Sequence, residues 1–179
     1  MKRPILAVAI GYQAVWLCAV AGAGRGLAWP GVAAAAAFVA AMLIAAARPA
    51  QEAVLVAAAI GAGALLDGAL AASGWLRYAA AWPTAAFAPA WILALWAAFA
   101  TTLPVLLPAW LSRPLPAALF GAIGGPLAYL GAARGFDAVA FVAPWPALVT
   151  LALGWAVALV LLAMLARPAP RLTDAEHPR

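Results

Sequence analysis

Asp67 stands inside "GALLDGAL", residues 63 to 70, and no other charged residue lies between Glu52 and Arg77. A carboxylate in an apolar helix centre costs about 2.5–3.5 kcal/mol to insert, against about 0.3–0.6 returned by each Leu-like neighbour. Two explanations can offset that cost, an ion pair that holds helices together or a group kept for a ligand. Other polar side chains in apolar surroundings are Gln13 beside Tyr12, Thr101 and Thr102, and Tyr129. Each can line a polar pocket with Asp67, or can hydrogen-bond between helices. In "LFGAIGGPLAYLGAARG", Gly124, Gly125 and Pro126 combine a thin helix with a missing backbone donor, which predicts a helix break. Broken membrane helices often line binding sites, although a packing kink is the other outcome.

The usual catalytic sets are missing. The chain has no paired intramembrane carboxylates, no Ser/His/Asp set and no phosphate loop, and its single Cys18 and single His177 cannot assemble a metal site. No metal and no cofactor is expected. An enzyme would have to work with Asp67, arginines and tyrosines alone, so a non-enzymatic protein is the expectation.

The elements that must position these residues follow from composition. The 179 residues are 69% apolar and 8% charged, against about 45–50% and about 25% in a soluble domain. A membrane helix needs about 20 mainly apolar residues. Six candidate spans can be marked, near Ile5–Ala23, Val32–Ala47, Ala53–Ser73, Ala90–Leu107, Ala117–Ala133 and Pro146–Ala166. The expected fold is all-α: a polytopic membrane bundle of about six helices, arranged as three hairpins. It forms one transmembrane domain over residues 1–166, with a polar, disordered cytoplasmic tail over 167–179. The first span imitates a signal peptide, but its apolar stretch is long and carries Tyr12, Gln13 and Trp16, so it is read as retained.

With six spans and a cytoplasmic N-terminus, seven basic residues fall inside (Lys2, Arg3, Arg48, Arg113, Arg167, Arg171, Arg179) and three outside (Arg25, Arg77, Arg134). That bias agrees with the positive-inside rule and puts both termini in the cytoplasm. Arg-Pro recurs at 3–4, 48–49, 113–114 and 167–168, while each outer connection reads as an Arg followed by Trp-Pro. Proline suits the first turn of a returning helix, and Trp and Arg suit the interface. The net charge of +5 does not indicate nucleic acid, because the basic residues are scattered singly at the ends of apolar runs.

On a 3.6-residue helix, Asp67 shares a face with Ile60, Gly63, Ala64, Leu70, Ala71 and Gly74, while Leu55, Leu65, Leu66 and Leu76 point elsewhere. The small residues predict close packing against another helix, with the four leucines meeting lipid. Asp67 then looks into the bundle. Ten residues separate it from Arg77, roughly 15 Å of helix, so the arginines on its side, Arg25, Arg77 and Arg134, are the candidate ion-pair partners.

"PAWILALWAAFATTL" (89–103) and "ALFGAIGGPLAYLGAARG" (118–135), with "YQAVW" and "LLDGAL" in support, closely resemble a bacterial family known as domain of unknown function 2878. The resemblance runs over nearly the whole chain except the tail. It implies a small multi-pass inner-membrane protein of unestablished activity. It also implies a link to membrane-lipid modification, through methyltransferases and flavin-dependent oxidoreductases encoded near family members. The segment "LPVLLPAW" after Thr102 is less polar than the family's pattern. The expectation is an accessory protein that binds or positions a lipid or a partner around Asp67. Membrane lipids are the expected partners, with a lipid-modifying enzyme or a transporter subunit as candidate protein partners. The alternatives are the substrate-binding membrane component of an energy-coupling-factor-like transporter, or a small membrane-embedded enzyme.

Overall fold

The computed structural model describes residues 3–107 and 113–166; Lys2 and the expected tail, with Arg167, Arg171, His177 and Arg179, lie outside them. Among the described residues the chain folds as six helices. They are α1 (Ile5–Gly24), α2 (Trp29–Ile44), α3 (Pro49–Ala72), α4 (Ala90–Leu106), α5 (Pro114–Phe136) and α6 (Pro144–Ala166). Proline occupies the first turn of α2, α3 and α5, where its missing N–H costs no helical hydrogen bond.

α1, α3, α5 and α6 are long and apolar enough to cross a membrane. α2 and α4 have 16 and 17 residues, roughly 24–26 Å of helix against a hydrocarbon core of about 30 Å. The shortness of α4 goes with its position at the centre of the bundle. Trp91, Ile92, Leu95, Trp96, Ala98, Ala100 and Leu103 are all buried, so it is apolar on every side and covered by its neighbours.

The outer helices show the reverse of a soluble amphipathic pattern. α5 buries Ala117, Gly121, Gly125, Tyr129 and Ala132, and exposes Leu115, Leu119, Ile123 and Leu127. α6 likewise exposes Val149, Leu153, Val157 and Leu161. Small residues face protein, where helices must approach closely, and bulky apolar ones face out. An exterior of this kind suits an apolar solvent.

Two clasps close the bundle. At one end, β1 (Leu76–Tyr78) pairs antiparallel with β2 (Val139–Phe141), with Arg77 opposite Ala140, joining the connections before α4 and before α6. At the other end, Arg3 makes a two-pronged ion pair with Glu52, at 2.6 and 2.8 Å, and donates to the Met42 carbonyl at 3.3 Å. α1, α2 and α3 are thereby tied together.

Two expectations about the helices need correction. The predicted break at Gly124, Gly125 and Pro126 is absent, and α5 runs unbroken through Pro126. The glycines serve packing instead: a Cβ at Gly121 or Gly125 would overlap Trp155, so α5 and α6 touch through them. The face of α3 is also rotated from the expected one. Gly63, Leu70 and Ala71 are buried with Asp67 as expected, but Leu55 is buried and Ile60 exposed, because the buried stripe runs through Glu52, Leu55, Ala59, Gly63, Asp67 and Leu70; Leu76 is buried too, on β1 beyond the helix.

Candidate functional site

Asp67 is fully buried, five residues before the end of α3. Its Oδ2 accepts the Trp96 indole N–H at 2.8 Å; its Oδ1 accepts the Tyr78 hydroxyl at 2.8 Å and the Tyr129 hydroxyl. Each donor comes from a different element: α4, β1 and α5. A carboxylate that only accepts has about four lone-pair sites, and three donors leave it nearly satisfied. Burial pushes the Tyr78 hydroxyl well above the ordinary tyrosine range, and the adjacent Asp67 charge and hydrogen bond add to the effect. Tyr78 therefore remains a neutral donor.

The arginine ion pair expected for Asp67 does not form. Arg25 donates to its own helix at Ala21, and Arg77 and Arg134 are exposed. The reason is geometric. The ribbon turns Tyr78 inward and Arg77 outward, because successive strand residues face opposite sides. N–H and O–H donors bonded directly to Asp67 remove the need to desolvate a guanidinium.

Thr101 and Thr102 are buried but do not join Asp67. Their hydroxyls donate back along α4 to Ala98 at 2.8 Å and Phe99 at 2.7 Å, which satisfies them locally. Gln13 is exposed on α1 and reaches no Asp67 oxygen. Of the expected polar residues, Tyr129 alone meets the carboxylate.

Sequence reasoning missed Tyr78, Trp96 and Trp155. Gly63, one turn before Asp67, seats Trp96: a Cβ there would overlap the indole. The far face of Trp96 stacks on Trp155, with centroids 4.0 Å apart and planes at 14°. Trp155 in turn rests on Gly125. The layers Gly63, Trp96, Trp155, Gly125 thus run from α3 through α4 and α6 to α5, with Asp67 and Tyr129 linking the outer two directly. A glycine that faces a tryptophan of another helix leaves no local pattern, whereas the buried Asp67 does signal that donors must exist.

Two cavities adjoin this stack, and Asp67 lines neither. A small one of about 50 Å³ lies against Trp91, Trp96 and Tyr129. A larger one of about 370 Å³ lies between α1 and α5, with Phe99 and Trp155 behind it and Gln13, Phe120 and Leu127 at its rim. They share a wall of Tyr12, Trp16, Ala128 and Trp155. The Trp155 Nε1 is buried without a partner in good hydrogen-bond geometry; the Tyr129 hydroxyl is a polar neighbour, too poorly aligned for a full hydrogen bond. Among the described residues, the Tyr12 hydroxyl and the Gln13 amide also have no hydrogen-bond partner. No group of metal-ligating side chains occurs among the described residues.

The molecule is thus a helical bundle with four helices long and apolar enough to cross a membrane, an aromatic interior and, among the described residues, one fully buried carboxylate. It belongs to a family of proteins of unknown function (DUF2878), whose sequence model matches residues 5–161. No curated protein and no solved structure matches the chain.

Proposed function

We propose that this protein is a non-enzymatic membrane component that holds a lipid-soluble molecule in the cavity between α1 and α5, as an accessory to membrane-lipid modification. The observation that carries the reading is Trp155, whose side chain lines an aromatic cavity of about 370 Å³ and whose donor-only Nε1 is buried without a partner in good hydrogen-bond geometry. Such a volume falls within the range of small-molecule sites, about 300–1,000 Å³. An unmet buried donor is costly, and a ligand acceptor would relieve it. Asp67 acts through the wall: it fixes Trp96, on which Trp155 stacks.

In this reading all six helices cross a bacterial inner membrane with both termini in the cytoplasm. The sequence bias of seven basic residues against three supports that orientation. Arg3, Arg48 and Arg113 sit at the helix starts opposite the ribbon, and Arg25, Arg77 and Arg134 at the ribbon end.

Organic extraction of the purified protein, followed by mass spectrometry, tests the binding. A lipid-soluble molecule should be retained near one per chain and lost from the Trp155→Ala variant. Comparative lipidomics of a strain lacking the gene tests the role in lipid modification, with an altered set of modified lipids expected. Unchanged lipids with loss of one solute's uptake would favour a transport component instead.

A further inference from the structure

We propose, resting on the binding role above, that the occupant of the larger cavity is a neutral, membrane-soluble quinone, whose ring lies among the aromatics while its tail stays in the bilayer. Four features of the cavity converge on this chemistry.

The first is charge. The cavity is lined by Tyr12, Gln13, Trp16, Phe99 and other uncharged residues, with no Asp, Glu, Lys or Arg among them. A phosphate or carboxylate headgroup would be desolvated there without a counter-ion, a heavy cost for a charge taken out of water. The occupant is neutral.

The second is hydrogen bonding. The indole N–H of Trp155 can only donate, and the hydroxyl of Tyr12 is free to donate. A ligand that satisfies both must present acceptors, as ring carbonyl oxygens do. The Gln13 amide at the rim offers a further donor.

The third is shape. The back wall is built of flat rings held in fixed orientations: Tyr12 is tilted at 55° to Phe99, and Phe99 stands edge-on to Trp155 at 79°. Trp155 is held by its stack on Trp96 and its close contact with Gly125. An electron-poor planar ring suits electron-rich aromatic walls better than a flexible acyl chain does.

The fourth is access. Phe120 and Leu127 at the rim are exposed on the outer face of α5, and Gln13 is exposed on α1. The opening between α1 and α5 faces sideways, so a prenyl tail can remain in lipid while the ring is inside.

The test titrates the purified full-length protein, in nanodiscs, with decylubiquinone, read by quenching of tryptophan fluorescence and checked by equilibrium dialysis. Saturable binding at about one quinone per chain is expected. Tyr12→Phe, which keeps the ring and removes the donor, should weaken it about 3- to 10-fold; Trp155→Phe should weaken it at least as much. Trp29→Phe, at an exposed tryptophan outside the cavity, should leave it unchanged. Non-saturating quenching, unaltered affinity in Tyr12→Phe, or equal competition by diacylglycerol would overturn the quinone assignment. Mass spectrometry of the same samples separates the two proposals. A different lipid retained at one per chain refutes the quinone alone, and no retained lipid with no quinone binding refutes both.

Discussion

Gly63 and Trp96 fit together through an absent side chain: the indole occupies the space a Cβ would need, and from there its N–H reaches Asp67 one turn further along α3. A glycine and a carboxylate four positions apart thus make one receptor for one tryptophan. Gly63→Val should cost about 1–3 kcal/mol by overpacking and should change the near-UV circular dichroism of the stacked indoles. Gly124→Ala, with open space around its position, should be neutral or gain about 0.5–1 kcal/mol from helix propensity. Equal effects of the two substitutions would refute this seating.

Asp67→Ala leaves three buried donors without their acceptor. At about 1–3 kcal/mol for each unmet group, the loss should exceed about 3 kcal/mol in denaturant unfolding in mixed micelles. Asp67→Asn should recover only part of it, since its NH2 group would face a donor.

Tyr78 and Tyr129 donate to the same carboxylate oxygen. Tyr78→Phe and Tyr129→Phe should each cost about 1.5–3 kcal/mol, and the double variant should depart from their sum by about 0.5 kcal/mol or more. Simple additivity would indicate that the two hydroxyls do not share a partner.

Replacing Arg25, Arg77 or Arg134 by Ala should change stability by less than about 0.5 kcal/mol and show no coupling to Asp67 in double-mutant cycles. A measurable coupling would reinstate an ion pair that the geometry denies.

The opposite clasp behaves differently. Arg3 and Glu52 are both largely shielded, at 14% and 9% side-chain exposure. Glu52→Gln should cost about 2 kcal/mol or more by leaving a shielded guanidinium short of its partner, and a cycle with Arg3→Gln should show coupling of about 1 kcal/mol or more.

Much of this architecture is legible in the sequence. The helices lie close to the apolar runs, because apolar length and proline at the first turn are local properties. Asp67 is legible as inward-facing, since a carboxylate in an apolar run has nowhere else to go. Its partners are not legible: Trp96 lies 29 positions away and Tyr129 62, and only tertiary packing selects them. Sequence alone points to the arginines because opposite charge is the simplest partner for a buried carboxylate, whereas a two-stranded ribbon three residues long per strand is too short to announce itself. At Pro126 the local rule loses to packing: α5 continues as a helix through it, with Gly121 and Gly125 seated on Trp155.

The order in which the Asp67 donors are synthesised has a consequence for biogenesis. Tyr78 follows the carboxylate by 11 residues, Trp96 by 29 and Tyr129 by 62. When α3 leaves the ribosome, its carboxylate therefore has none of the three, and it gains the last only when most of α5 has been made. A nascent chain truncated before Trp96 carries a carboxylate with only one of its three donors, so the early helices expose an unmet charge until the later ones arrive. Two of the three donors, Trp96 and Tyr129, thus belong to the C-terminal half of the chain and serve a residue laid down in its first.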